Sequence, residues 1–265
     1  MIKTWCSSVL LGMAVGVAPI IAQAVPVPAA GFYEEVTAYP IEKFGYNPGT
    51  LTIQESIAGR GSAEGYAKTT GGLLPTASMD FHLTGHDPYG INGRAIAKTG
   101  YYWSIEQVGG APYYATVPVM VTTSGSVSYD AVGDVKIGYL YAEAGFNWLS
   151  SYGAFKADLT NAVGPSGTEN FDQSFKKFVG IGNVYSVGLT AWGHAEADDG
   201  ESIHFSAYVD PLIVIDPSFS RASDFRVVFS EGIGAVPLPP TIWLFGSGLL
   251  GLISIARRNA GRRAQ

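Results

Sequence analysis

The sequence predicts an all-β protein: a single antiparallel β-sandwich, jelly-roll-like, flanked by an N-terminal signal peptide and a C-terminal transmembrane helix. Three observations carry that expectation. Short runs of β-branched and aromatic residues alternate with Gly, Pro, Asn and Asp through residues 25–235. Charged residues make up 14% of the 265, about half the ~25% of an ordinary soluble domain, and there are 34 glycines. Apolar stretches without charge stand at both chain ends, outside the β-rich middle. A helical bundle or coiled coil needs more Glu, Lys, Arg and Leu than this, and a disordered chain has fewer aromatics.

At the N-terminus, Lys3 precedes the apolar run Val9 to Ala18, then Pro19 and Ala22-Gln23-Ala24. A basic start, a short apolar stretch and an A-x-A site make a secretory signal peptide over 1–24, with cleavage between Ala24 and Val25. Cleavage there removes Cys6, the only cysteine. The mature chain then has no disulfide, cysteine nucleophile or Cys-ligated metal.

In the middle, 25–235, strands are expected at 51–53, 79–83, 113–123, 135–144, 184–195, 202–215 and 225–230. One short helix is expected over 170–178, because Phe171, Phe175 and Phe178 follow a 4-then-3 spacing. A hairpin is expected between the strands at 184–195 and 202–215. Their odd-numbered residues are the apolar ones, and both sets face one core if Asp198-Asp199-Gly200 forms a three-residue loop. That register puts His194 opposite His204 and turns Trp192 away from the apolar set. The domain holds 11 basic and 22 acidic residues, a formal charge of −11. Such a charge excludes a nucleic-acid partner, which needs a basic face.

At the C-terminus, Val236-Pro237-Leu238-Pro239-Pro240 leads into the uncharged run Thr241 to Ala256, and Arg257, Arg258, Arg262 and Arg263 follow. Counted from Val236, the run approaches the ~20 residues that cross a bilayer, with Trp243 at an interfacial position. The arginines hold the tail on the cytoplasmic side.

This tripartite end, residues 236–265, resembles the PEP-CTERM sorting signal of Gram-negative bacteria that make exopolysaccharide. Val236-Pro237-Leu238-Pro239, the run from Trp243 to Leu252 and the Arg257-Arg258 tail carry the resemblance, with Leu238 where the usual motif has Glu. It implies export by the Sec translocase and transient anchoring in the inner membrane. Processing by an exosortase, a membrane-embedded cysteine protease, then delivers the chain to the outer surface or extracellular matrix. It implies nothing about what the cargo domain binds.

Candidate chemistry in the cargo is sparse. His82 and His86 (followed by Asp87), or His194 and His204, each supply two metal ligands where a site needs three or four, so no metal or cofactor is expected. Asp198, Asp199 and Glu201 surround a turn and read as a polar tip before they read as a calcium site. No G-x-S-x-G, phosphate loop or distinguishable carboxylate pair is present, so an enzyme is not expected. Aromatics give the best hint of binding. Trp103, near Tyr101, Tyr102, Tyr113 and Tyr114, and Trp192 are the candidate glycan platforms; Trp148 is the domain's third tryptophan. The expected role is a structural, adhesive or glycan-binding one in an exopolysaccharide or biofilm matrix. A secreted polysaccharide hydrolase and a calcium-stabilised adhesion module are the alternatives.

Overall fold

A computed structural model describes residues 26–72, 74–86, 90–108, 115–147 and 153–233. Among them run thirteen strands: β1 (Gly31–Ala38), β2 (Ile41–Gly45), β3 (Gly49–Ile57), β4 (Gly61–Thr70), β5 (Thr76–Gly85), β6 (Ile91–Gln107), β7 (Thr116–Val132), β8 (Lys136–Phe146), β9 (Gly153–Asp158), β10 (Ser166–Gly180), β11 (Tyr185–Ala197), β12 (Ser202–Ile215) and β13 (Phe225–Phe229). One turn of 3-10 helix, Ala222–Asp224, precedes β13.

The strands form two antiparallel sheets. The first has the order β2-β1-β6-β11-β8-β9, with β13 also paired to β6; the second has the order β10-β7-β12-β5-β4-β3. Side chains alternate across each sheet, so one parity faces the partner sheet and the other faces outward. On β6 and β11 the odd residues are buried, and on β5 and β12 the odd residues are buried too. Size is complementary across the core. The first sheet offers Gly93, Ala95, Ala97, Ala191, Gly193 and Ala195, and the second offers Met79, Phe81, Leu83 and Phe205. Phe81 and Phe205 stack at 5.5 Å, over the two glycines. A Cβ on Gly93 would stand 2.5 Å from the Phe81 ring, and one on Gly193 would stand 2.4 Å from the Phe205 ring.

All seven expected strands are present, most of them longer than the sequence suggests. Two expectations are corrected. Residues 170–178 are not helical: they belong to β10, which pairs with β7 over its whole length. Phe171 and Phe175 share one parity and pack with Phe146 and Phe155, the Phe155–Phe175 centroids lying 5.7 Å apart. Phe178 has the opposite parity and is exposed. A 4-then-3 spacing in three residues does not distinguish a helix from a strand whose last aromatic points outward.

The second correction concerns β11 and β12, which form no hairpin. β11 lies between β6 and β8, whereas β12 lies between β5 and β7 in the other sheet. The connection at 198–201 is an arch from one sheet to the other, with Gly200 in the left-handed region at φ 76°. Both odd sets do face one core, but from opposite sides of it. Parity fixes register only for strands that pair, and these two have other partners. His194 and His204 therefore lie on opposite outer faces of the sandwich.

Candidate functional site

The outer face of the first sheet carries the most concentrated chemistry. Its even-numbered β6 and β11 positions meet odd-numbered β1 and β8 positions in rows that cross the strands. One row runs Glu35, Ile96, Trp192, Tyr141, Asp158. The next runs Thr37, Arg94, His194, Tyr139. On the other side lie Tyr33, Lys98, Thr190, Glu143 and Lys156.

Trp192 is the centre of this face. Tyr139 and Tyr141 flank it, with ring centroids 5.4 and 5.6 Å away. Tyr139 is half exposed, and Trp192 and Tyr141 are partly exposed. Beneath them Ile96, which points outward, is nonetheless buried. The Lys98 ammonium lies 5.2 Å from the Trp192 ring and that of Lys156 lies 4.2 Å from the Tyr141 ring. Two tilted ring pairs, with one cation over the Trp192 ring and another over the Tyr141 ring, make an amphipathic surface.

The flanks are held by charge. Glu35 is buried on this outer face, ion-paired to Arg94 and accepting a hydrogen bond from the Tyr33 hydroxyl. Burial, and then that bond, push the Tyr33 hydroxyl up to about 12. Tyr33 in turn meets Tyr46 edge-on at 5.7 Å. His194 forms the wall between two hollows. One of about 390 Å³ includes Lys136, Gly138, Val163 and Glu196; the other, of about 190 Å³, includes Thr37, Tyr39, Asn92 and Arg94. Burial lowers the His194 pKa, Arg94 adds to that and Glu196 opposes it, so the imidazole is neutral at neutral pH.

A bare strip borders the same face. Gly31, Gly100, Gly188 and Gly145 are register neighbours on β1, β6, β11 and β8. At three of them a Cβ would meet nothing within 4 Å.

The other expected site residues fall as follows. Trp103 is not a platform: it is fully buried, 4.9 Å from the Tyr185 ring, because its odd position on β6 points inward. Tyr101 is buried beside it. Tyr113, Tyr114, Trp148 and Asp87 lie outside the described residues. So do Ala22, Ala24 and Val25, the motif Val236 to Pro239, Trp243, and Arg257, Arg258, Arg262 and Arg263. Glu201 is committed to the backbone: its carboxylate accepts from the N–H of Asp134 at 2.8 Å and of Asp198 at 2.9 Å. Among the described residues no group of three or more His, Cys, Asp or Glu side chains is gathered as a metal site. Among the described residues, burial raises the pKa of one carboxyl, Glu34, which is inside the sandwich.

No known protein family matches this chain, and no curated protein is significantly similar to it. The tyrosines beside Trp192 were not singled out from the sequence. Finding them requires knowing that β8 is the neighbour of β11, which local patterning does not reveal.

Proposed function

We propose that this chain is a non-catalytic, exported glycan-binding protein of the cell surface or extracellular matrix. The observation that carries the reading is the Trp192 cluster on an outer sheet face. The apolar C–H face of a sugar ring stacks on an aromatic face, and the surrounding Lys98, Lys156, Glu143 and Thr190 offer partners for hydroxyl or carboxylate groups. A polysaccharide laid across a sheet needs such an open, flat site rather than a deep pocket.

In this reading the Sec translocase exports the jelly-roll-like sandwich. The segment after Val236 crosses the inner membrane as a helix, and an exosortase releases or transfers the cargo.

Affinity electrophoresis of the full chain through gels containing hydroxyethylcellulose or alginate tests the binding. Wild type is retarded by at least one of them, and Trp192→Ala and Tyr139→Ala each lose most of that retardation. A base-stacked ring elsewhere in biology is worth about 1–3 kcal/mol, which sets the scale for one lost platform. Retardation unchanged in both variants sinks the assignment of the site.

A further inference from the structure

β10 closes one end of the second sheet, and among the described residues it pairs with β7 alone. Its 15 residues make an edge about 50 Å long. Natural sheets blunt such an edge by keeping it short, or with a proline or a bulge. β10 contains no proline, and its register with β7 runs unbroken from Ser166↔Asp130 to Gly180↔Thr116. The direction of its peptide groups is fixed at both ends. Ala131 N–H donates to the Pro165 carbonyl at 2.7 Å, and Ile181 N–H donates to the Ala115 carbonyl at 3.3 Å. Odd-numbered residues therefore bond to β7, and the even-numbered ones turn N–H and C=O to the outer edge.

The sequence of this strand is its own antiparallel complement. Glu169 and Asp172 stand in the first half, Lys176 and Lys177 in the second, and Phe171 and Phe175 lie symmetrically about Gln173. A two-fold axis at Gln173 sets Phe171 opposite Phe175 of a second copy, Glu169 opposite Lys177 and Asp172 opposite Ser174. That register obeys the bonding parity. Even residues meet even ones and exchange hydrogen bonds, while odd residues form the closer, non-hydrogen-bonded pairs. An axis at Asp172 faces that carboxylate with its own copy, and an axis at Ser174 sets Phe171 against Lys177. Lys176 is already ion-paired to Asp216, so the charge match across the axis falls to Glu169 and Lys177. Phe171 and Phe175 already pack on Phe155, and pairing extends that aromatic row across the axis.

We propose that the protein is a two-fold homodimer in which β10 pairs antiparallel with β10 of a second copy, joining the two six-stranded sheets into one. The axis stands normal to that sheet, so both Trp192 faces point to the same side. A long polysaccharide then meets two platforms; that consequence, unlike the dimer itself, rests on the glycan reading.

Sedimentation equilibrium of the full chain in detergent tests it, and wild type sediments as a dimer. Ser174→Pro removes an N–H that points to the outer edge and none that bonds to β7, and it weakens dimerisation at least about tenfold. Glu169→Lys and Lys177→Glu each weaken it about tenfold, because the axis makes the pair occur twice, and the double exchange restores it. Cross-linking reads the register. With Cys6→Ser in the background, Gln173→Cys gives a disulfide-linked dimer on mild oxidation and Glu169→Cys does not, since only residue 173 faces its own copy closely enough. Circular dichroism confirms that the variants are folded. Monomeric wild type overturns the proposal. So does a dimer indifferent to Ser174→Pro and to both charge reversals, which is the result expected if the apolar chain ends hold it together. A double exchange that fails to restore the dimer overturns the register.

Discussion

Glu34 shows how one residue's surroundings convert into a pH dependence. Its even position on β1 points into the core, where the side chain is 2% exposed. Thr69 donates its hydroxyl to the carboxylate, and the backbone N–H groups of Thr69 and Gly49 add to that. Burial outweighs these bonds and raises the pKa. A raised acid pKa means that the native state binds the proton more tightly than the unfolded one. Stability from this group is therefore fully present below the unfolded value of about 4.3 and is lost as pH rises through the native value. Glu34→Gln removes that loss. Urea midpoints measured from acid to neutral pH are expected to move in the variant's favour as pH rises. A difference between the two proteins that stays constant with pH would contradict the account.

Glycines within strands tell the same story at the scale of the element. On β11, Gly193 faces inward under Phe205, with Met79 Cε standing 2.6 Å from where a Cβ would be. Gly188, on the same strand with the outer parity, would meet nothing within 4 Å. Gly193→Val is expected to cost about 1–3 kcal/mol by overpacking, and Gly188→Ala to stay within about 0.5 kcal/mol of wild type. Urea denaturation of both variants checks the contrast, which tests the packing of the sheets directly. These glycines also explain what the sequence concealed. β6 is the longest strand of its sheet, yet its inward residues Gly93, Ala95 and Ala97 are too small to read as a hydrophobic run. Inward and outward faces of β11 and β12 were legible, because alternation is local, and with them the outward direction of Trp192. Partner choice was not. Whether β11 and β12 pair or arch depends on which distant strands claim their edges. The same non-local pairing brings Tyr139 and Tyr141 to Trp192.

At the scale of the whole molecule, the two ends of the described domain meet. β1 and β13 run along the same side of β6, pairing with 93–100 and 103–107 respectively. At their junction the buried Ser230 hydroxyl donates to the Pro28 carbonyl at 2.6 Å and accepts from the Tyr102 N–H at 2.8 Å. Gly72 N–H donates to the Gly232 carbonyl at 2.7 Å, fastening the last described residues to the second sheet. Both candidate processing points lie outside residues 26–233, so cutting there removes none of the described strands and breaks none of these bonds. Protein recovered from its native producer is accordingly expected to begin at Val25, to end between Val236 and Pro240, and to unfold at the same temperature as the full chain. Intact mass with N-terminal sequencing reads the ends, and calorimetry the stability. A mature product in the inner membrane that retains Arg262 and Arg263 would defeat the sorting reading and make the chain a tail-anchored periplasmic protein.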